Sequence, residues 1–220
     1  FDWWGLEVDK RPLKISLNNL DFQSLWDIDV YRILYSLQKK GCWKNKSSEG
    51  RILWGDAREK LLEIPASRTF DLILLDAFSP VKCPVLWTQE FLCNLTSKLG
   101  TEGRLITYCT AAAIRKSMRT SGLMLVSRSP KDNHRRSWSD GTIGVRNNNE
   151  LTNIKNLSNW NSLSLMEEEH LSTKAAVPYR DPTGLSTKIM ILDRRQKEQR
   201  NSKMEATRNW RRRWGQTEQS

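Results

Sequence analysis

The chain has 220 residues and carries 36 Lys and Arg against 25 Asp and Glu, a formal net charge of +11. Its length fits one domain plus a tail and suffices to bury a core. No apolar run reaches the length that crosses a bilayer, and no basic and apolar leader opens the chain, so we expect a cytoplasmic protein without a membrane span. The positive excess favours polyanionic partners, because each phosphate contact releases condensed counterions.

The cysteine and histidine pattern argues against a metal site. Four cysteines are scattered along the chain without a C-x-x-C pair, and there are two histidines, His134 and His170, both of which we expect at the surface. A structural zinc site needs clustered thiolates or imidazoles, and a disulfide framework needs a small, cysteine-dense chain. The sequence therefore predicts reduced cysteines and no metal.

Strand and helix patterns alternate over the first half of the chain. Apolar runs predict strands at residues 3–8, 52–54, 70–75 and 104–109, the last preceded by a glycine turn at 100–103. Apolar residues at helical spacing predict helices at 12–20, 27–39, 88–99 and 111–121. This alternation predicts an α/β fold, with a mostly parallel sheet and helices on both faces.

The second half of the chain is less regular. Short strands are expected at 123–126 and 142–145, and together with the first half they define a domain over residues 1–146. Residues 147–164 are rich in Asn and Ser and predict a linker or a surface loop. Residues 165–192, with one helix at 166–174, form a C-terminal extension expected to pack on the domain. Residues 193–220 are basic and predict a disordered tail.

Three acids stand where predicted strands end: Glu7, Asp56 and Asp76. Ligands of an open parallel sheet bind at the carboxyl ends of its strands, where an acid can hold both hydroxyls of a ribose. An acid after the following strand can accept a hydrogen bond from an adenine amino group. Polar residues also stand at strand ends in any α/β protein, so both interpretations remain open from spacing alone.

Several motifs agree in order and spacing with a known family. They are E-V-D-K-R-P-L at 7–13, G-D-A-R at 55–58, F-D-L-I-L-L-D-A-F-S-P at 70–80, P-V-L-W-T at 84–88, G-R-L-I-T-Y at 103–108, A-A-A-I-R-K-S-M at 111–118 and A-A-V-P-Y-R-D-P at 175–182. The chain thereby resembles the MnmC-like methyltransferases, which finish the 5-methylaminomethyl-2-thiouridine modification at the tRNA wobble position. The resemblance implies a Rossmann-like fold, S-adenosylmethionine as cofactor and tRNA as substrate.

The resemblance also implies roles for particular residues. Glu7 would hold the ribose of the cofactor, Asp56 with Ala57 would frame its adenine, and Asp76 would face both the methyl group and the incoming amine. Further positions are candidate substrate contacts or supports: Phe78, Pro80 and Lys82, Trp87 beneath their loop, and the basic residues Lys131, Arg135 and Arg136.

Two of these assignments have plain structural alternatives. A carboxylate such as Asp76 can orient an amine and help to remove its proton, but it can equally cap a loop by accepting backbone N–H bonds. Phe78 can stack on an extruded base, but a Phe after a buried strand is ordinarily part of a core. Trp210 and Trp214 flank three arginines, which is an arrangement for stacking on bases or an incidental feature of a tail.

The sequence departs from the family at its beginning and before its last strand. The family's first strand and glycine-rich loop are absent, and S-P-K-D-N-H-R-R-S-W-S-D-G at 129–141 replaces a Gly-rich basic turn. We expect an N-terminally truncated fragment, the alternative being a chain that has lost cofactor binding. The function then lies among three hypotheses: methylation of the aminomethyl group of a wobble uridine made by a separate enzyme, methylation of another amine, or a non-catalytic RNA-binding remnant.

Overall fold

The computed structural model describes residues 1–128, 139–157 and 159–216, which form two compact units. The first unit comprises Phe1–Pro65 and the second comprises Ala66–Ser220. No helix within the described ranges is long and apolar enough to cross a membrane.

The first unit combines three strands with four short helices. Its elements are β1 (Asp2–Glu7), α1 (Arg11–Leu17), α2 (Leu20–Ser24), α3 (Ile28–Lys40), β2 (Cys42–Lys44), β3 (Glu49–Trp54), α4 (Ala57–Lys60) and a 3-10 turn (Leu61–Glu63). The helix expected at 12–20 is thus divided, because Asn19 caps a new helix by accepting a hydrogen bond from the N–H of Phe22.

The sheet of the first unit has the order β1-β3-β2. Strand β1 runs parallel to β3, and the register places Glu7 beside Trp54, whereas β2 runs antiparallel to β3. Gly41 ends α3 in the left-handed region at φ 73°, which lets the chain turn directly into β2. Both parallel strands therefore end at the same edge, with Glu7 on one strand and the segment after Trp54 on the other.

The second unit contains five strands and six helices among its described residues. They are β4 (Phe70–Leu74), a 3-10 turn (Pro84–Trp87), α5 (Gln89–Ser97), β5 (Leu99–Thr107), α6 (Ala112–Thr120), β6 (Met124–Arg128), β7 (Thr142–Val145), α7 (Asn148–Lys155), β8 (Trp160–Ser162), α8 (Leu165–His170), a second 3-10 turn (Lys174–Ala176), α9 (Lys188–Asn201) and α10 (Thr207–Arg213).

The sheet of this unit is mixed, with the order β4-β5-β7-β6-β8. Strands β4 and β5 are parallel, while β5–β7, β7–β6 and β6–β8 are antiparallel, so the sheet is not mostly parallel as expected. The glycine turn expected at 100–103 is instead part of β5. These residues are accommodated by a shift in the register between β4 and β5: Phe70 pairs with Leu99, whereas Leu72 pairs with Arg104.

The predicted linker at 147–164 is wrong in its secondary structure. Asn147 caps α7 by accepting a hydrogen bond from the N–H of Glu150, and the segment continues into β8. Ile154 on α7 is fully buried against the core of β6 and β7 that contains Val126 and Val145. This helix buries one side chain completely, which explains why its apolar periodicity is weak.

The predicted disordered tail is also wrong, because residues 193–216 include most of α9 and all of α10. Thr187 caps α9 by accepting from the N–H of Met190. Trp210 on α10 is fully buried, and its indole N–H donates to the carbonyl of Met166 at 3.2 Å. His170, expected at the surface, stacks on this indole with a centroid distance of 4.2 Å.

A buried ion pair ties α8 to the body of the second unit. The guanidinium of Arg115 donates to Glu167 at 2.7 Å, to Ser139 Oγ at 2.7 Å and to Thr142 Oγ1 at 2.9 Å. Burial would raise the pKa of Glu167, but the charge and hydrogen bonds of Arg115 outweigh it and hold this pKa below its usual value. Removing one partner would leave a buried charge, at a cost of about 3–5 kcal/mol.

Candidate functional site

The strand tips of the first unit present the carboxylate of Glu7. Its Oε1 accepts hydrogen bonds from the backbone N–H groups of Val8 at 2.7 Å and Asp9 at 2.8 Å, which fix its position. Glu7 is exposed, and its Oε2 accepts no hydrogen bond from any residue that the structure describes. The carboxylate is therefore held by one oxygen and available through the other.

The same edge carries Asp56, two residues beyond the end of β3. The N–H of Gly55 donates to the carbonyl of Glu7 at 2.9 Å, and Gly55 has φ 140°, a conformation that favours glycine. Asp56 Oδ1 accepts from the N–H of Arg58 and so caps α4, which begins at Ala57. Asp56 Oδ2 lies 2.6 Å from the Arg58 guanidinium. The structure thus brings Glu7 and Asp56 to one edge, but with the Asp56 carboxylate bonded at both oxygens.

In the second unit, Asp76 follows the end of β4. The ladder continues through Leu75, whose N–H donates to the carbonyl of Ile106 at 2.9 Å, and the chain then leaves the sheet. Asp76 is exposed, and its carboxylate accepts no hydrogen bond from a described residue. A loop-capping role would require such bonds from backbone N–H groups. The described geometry therefore does not support the capping alternative.

Two side chains hold the backbone immediately after Asp76. The hydroxyl of Tyr108 donates to the carbonyl of Ala77 at 2.7 Å, and the indole N–H of Trp87 donates to the carbonyl of Phe78 at 2.7 Å. The two rings meet edge to face at a centroid distance of 6.1 Å. We call residues 76–80, fixed in this way, the pinned loop. The backbone of the pinned loop is restrained while the Phe78 side chain remains 77% exposed.

Tyr108 is the functional candidate that sequence reasoning did not single out. Partial burial raises the pKa of its phenol, and the nearby charge of Asp76 contributes in the same direction. The phenol therefore stays protonated at neutral pH and keeps its donor for Ala77. The one signal in the sequence is a tyrosine at the end of the predicted strand, next to the expected pocket, which packing explains equally well.

The remaining predicted site residues have different environments. Pro80 is buried, so it supports the pinned loop from within and offers no surface to a ligand, whereas Lys82 is exposed. Exposure of Phe78 likewise excludes a core role for that ring. The predicted contacts at Lys131, Arg135 and Arg136, together with His134, lie outside the described residues.

Comparison with known proteins identifies the family. A family model described as S-adenosyl-L-methionine-dependent methyltransferase matches residues 23–143, more than half of the chain. The crystal structure of MnmC2 from Aquifex aeolicus superimposes with a TM-score of 0.61 at 20% identity, covering 91% of this chain and 69% of that one. This likeness confirms the expected Rossmann-like methyltransferase fold.

Two curated proteins are similar in sequence to this chain. The uncharacterized protein MJ0670 of Methanocaldococcus jannaschii is 27% identical over 77% of this chain and 44% of its own length. The tRNA 5-methylaminomethyl-2-thiouridine biosynthesis bifunctional protein MnmC of Aeromonas hydrophila is 31% identical over 41% of this chain and 15% of its own length. The chain thus spans less than half the length of these relatives. It belongs to the family of S-adenosyl-L-methionine-dependent methyltransferases and, within it, is similar to the MnmC proteins.

Proposed function

We propose that this protein methylates an exocyclic amine on a modified wobble uridine of tRNA, converting a 5-aminomethyl group to 5-methylaminomethyl. The family supplies the reaction class, and the relatives named for tRNA 5-methylaminomethyl-2-thiouridine biosynthesis support the substrate. The observation that carries the proposal is the pinned loop, which presents a carboxylate that no described residue bonds and an exposed aromatic ring two residues apart on a restrained backbone.

The strand tips of the first unit fit the cofactor in part. When bound, S-adenosyl-L-methionine supplies a methyl group on a sulfonium, so the protein must chiefly position the reactants. Glu7 fits the ribose, because its available Oε2 can accept from a hydroxyl while Oε1 remains fixed. Asp56 fits the adenine less well, since its carboxylate must give up a hydrogen bond to Arg58 to accept from the amino group. Ala57 offers its backbone at the same edge.

The pinned loop fits the amine and its base. Asp76 accepts a hydrogen bond from the amine, orients its lone pair and takes the proton that is lost as the new N–C bond forms. Phe78 offers its exposed face for stacking to an unstacked base, as aromatic side chains do in single-stranded RNA recognition. Tyr108 and Trp87 keep the loop in place, so that neither group has to be ordered when the substrate arrives.

The test combines binding with methyl incorporation. Calorimetry of the full chain with S-adenosylhomocysteine should detect binding, and a radiolabelled methyl group should enter total tRNA and be recovered on a 5-methylaminomethyl nucleoside after digestion. The Asp76→Asn variant serves as the control that gives the background level of methyl incorporation. Label recovered in a small-molecule extract but not in tRNA would contradict the proposed substrate, and no binding of S-adenosylhomocysteine by the folded chain would contradict the proposed activity.

A further inference from the structure

Residues 177–181 follow the second 3-10 turn and run beside the start of α5. Tyr179 forms a parallel bridge with Thr88, and its carbonyl accepts a hydrogen bond from the N–H of Gln89 at 2.9 Å. Both Tyr179 and Thr88 are buried. We call residues 177–181 the strap, because they bond the chain directly after Trp87, the side chain that restrains the pinned loop.

A single carboxylate of α5 fastens the strap by both of its oxygens. Oε1 of Glu90 accepts a hydrogen bond from Nε of Arg180 at 2.6 Å, and Oε2 accepts one from the backbone N–H of Asp181 at 2.8 Å. Hydrogen bonds to an ionised acceptor are roughly twice as strong as neutral ones. Since one bond reaches a side chain and the other reaches the backbone, Glu90 fixes both the position and the orientation of the strap beside α5.

Helix α9 also holds the strap. Arg194 donates to the carbonyl of Arg180 at 2.6 Å, and Arg195 donates to the carbonyl of Val177 at 2.8 Å. The guanidinium of Arg195 lies over the ring of Tyr179, 4.4 Å from its centroid. The strap is therefore bonded along its length to two helices.

Resting on the proposed function, we infer that the strap positions the pinned loop through Trp87, with Glu90 and Arg180 as positioning residues for methyl transfer. The backbone of Trp87 directly precedes the bridge at Thr88, and its indole N–H donates to the carbonyl of Phe78 at 2.7 Å. Helix α9 also lies against the 3-10 turn that ends at Trp87. A shift of the strap therefore moves the indole, and the indole carries the carbonyl of Phe78 with it.

The position of the pinned loop matters because methyl transfer depends on alignment. A misplacement of about 1 Å, caused by a change far from the reacting atoms, can lower a rate about a hundredfold. The strap makes its contacts outside the pinned loop, so it acts on Asp76 and Phe78 only through the backbone that carries them.

The plain alternative is that the bonds of Glu90 only stabilise α5. The pair of Arg119 and Glu168 offers a comparison, because it joins α6 to α8 and includes neither of the side chains that restrain the pinned loop. Glu90 and Glu168 both stand in the first turn of a helix, and both are partly exposed in ion pairs with an arginine. A purely structural role predicts the same consequences at the two sites.

The test compares two single substitutions in the full chain. Glu90→Ala releases both bonds to the strap, and the control Glu168→Ala breaks the ion pair with Arg119. Both should lower the melting temperature slightly and by similar amounts, since partly exposed ion pairs contribute little to stability. Glu90→Gln keeps one oxygen acceptor, so its effects should lie between those of Glu90→Ala and the unmodified chain.

Hydrogen exchange measured by mass spectrometry reports on the pinned loop without any reaction. In the peptide at 76–83, the N–H groups of Lys82 and Cys83 donate to the carbonyl of Ser79, so their exchange follows the order of the loop. We expect exchange in this peptide to be about threefold to tenfold faster in Glu90→Ala and unchanged in Glu168→Ala.

Kinetics then separates positioning from stability. With labelled S-adenosylmethionine and tRNA, Glu90→Ala should lower kcat about threefold to tenfold with the KM of the cofactor unchanged, and Glu168→Ala should change neither. Arg180→Gln should have a smaller effect, because Glu90 keeps its bond to the N–H of Asp181. In a Trp87→Phe background, which lacks the indole donor, Glu90→Ala should add little to either readout, since coupled residues are not additive.

Other outcomes overturn the inference and separate it from the proposed function. Unchanged exchange at 76–83 in Glu90→Ala, or an equal change in Glu168→Ala, means that the strap does not position the pinned loop. Effects of Trp87→Phe and Glu90→Ala that multiply in the double variant mean that the strap acts by another route. No methyl transfer by the unmodified chain contradicts the proposed function, while hydrogen exchange still decides whether the strap holds the loop.

Discussion

The strand tips of the first unit and the pinned loop of the second unit use hydrogen bonds in opposite ways. At the strand tips the chain donates to its own carboxylates, so that Asp56 is bonded at both oxygens and Glu7 at one. In the pinned loop, side chains donate to backbone carbonyls, and no residue in the described ranges hydrogen-bonds the carboxylate of Asp76. A side chain on a restrained backbone that makes no hydrogen bond of its own remains available to a ligand. A side chain that is itself hydrogen-bonded within the protein serves a structural role instead.

The largest effect expected from this comparison is on Asp76. The variant Asp76→Asn should lower the rate of methyl transfer by about a hundredfold to ten-thousandfold, the usual contribution of a positioned acid or base. Its stability should change little, because no described residue bonds the carboxylate. Single-turnover methyl incorporation measures the rate. Asp71→Asn, which changes an exposed acid within β4, the strand that precedes Asp76, is the control, and an equal loss there would contradict the assignment.

A smaller effect is expected at Glu7, on binding and not on the chemical step. Glu7→Gln should weaken the binding of S-adenosylhomocysteine by about tenfold to a hundredfold, because a hydrogen bond to a charged acceptor contributes roughly 1.5–3 kcal/mol. Calorimetry measures the affinity. Glu49→Gln changes a carboxylate at the opposite end of the same parallel strand pair and should leave the affinity unchanged. Equal weakening by both variants would remove the special role of Glu7.

The restraint on the pinned loop should have a modest kinetic effect. Tyr108→Phe keeps the ring against Trp87 but removes the donor to the carbonyl of Ala77. We expect kcat to fall roughly threefold to tenfold, the equivalent of one neutral hydrogen bond, with the cofactor KM unchanged. Tyr35→Phe, at an exposed tyrosine of α3, is the control. A rise in the cofactor KM would indicate a general structural defect instead.

The smallest effect is expected at Asp56, where the comparison predicts a structural role. Asp56→Ala should lower the free energy of unfolding by about 1 kcal/mol through loss of the α4 cap, measured by urea denaturation. Asp56→Asn should lower the free energy of unfolding by less, since Asn also caps helices. Both variants should weaken S-adenosylhomocysteine binding less than Glu7→Gln does. The reverse order would mean that Asp56 exchanges Arg58 for the adenine amino group.

The sequence predicted the region around β4 well, because its strand, its acid and the following motif are local features. The register shift opposite Phe70 and the bond from Tyr108 to Ala77 depend on residues about thirty positions apart in the chain, which no local pattern reports. The errors at α7 and α10 have a similar cause. Each helix buries one large side chain completely, Ile154 or Trp210, and the partner that covers it comes from elsewhere in the fold.

The buried pair of Arg115 and Glu167 limits where this chain can be shortened. Arg115 belongs to α6 in the middle of the sequence, and its carboxylate partner arrives only with α8. A product cut at residue 160, for example, would keep the guanidinium but lose its counter-charge, and we expect it to be recovered in inclusion bodies. A version shortened from its C-terminus for expression or crystallisation should therefore end well after α8. This holds even though the sequence at 147–164, between α6 and α8, predicts a linker or a surface loop.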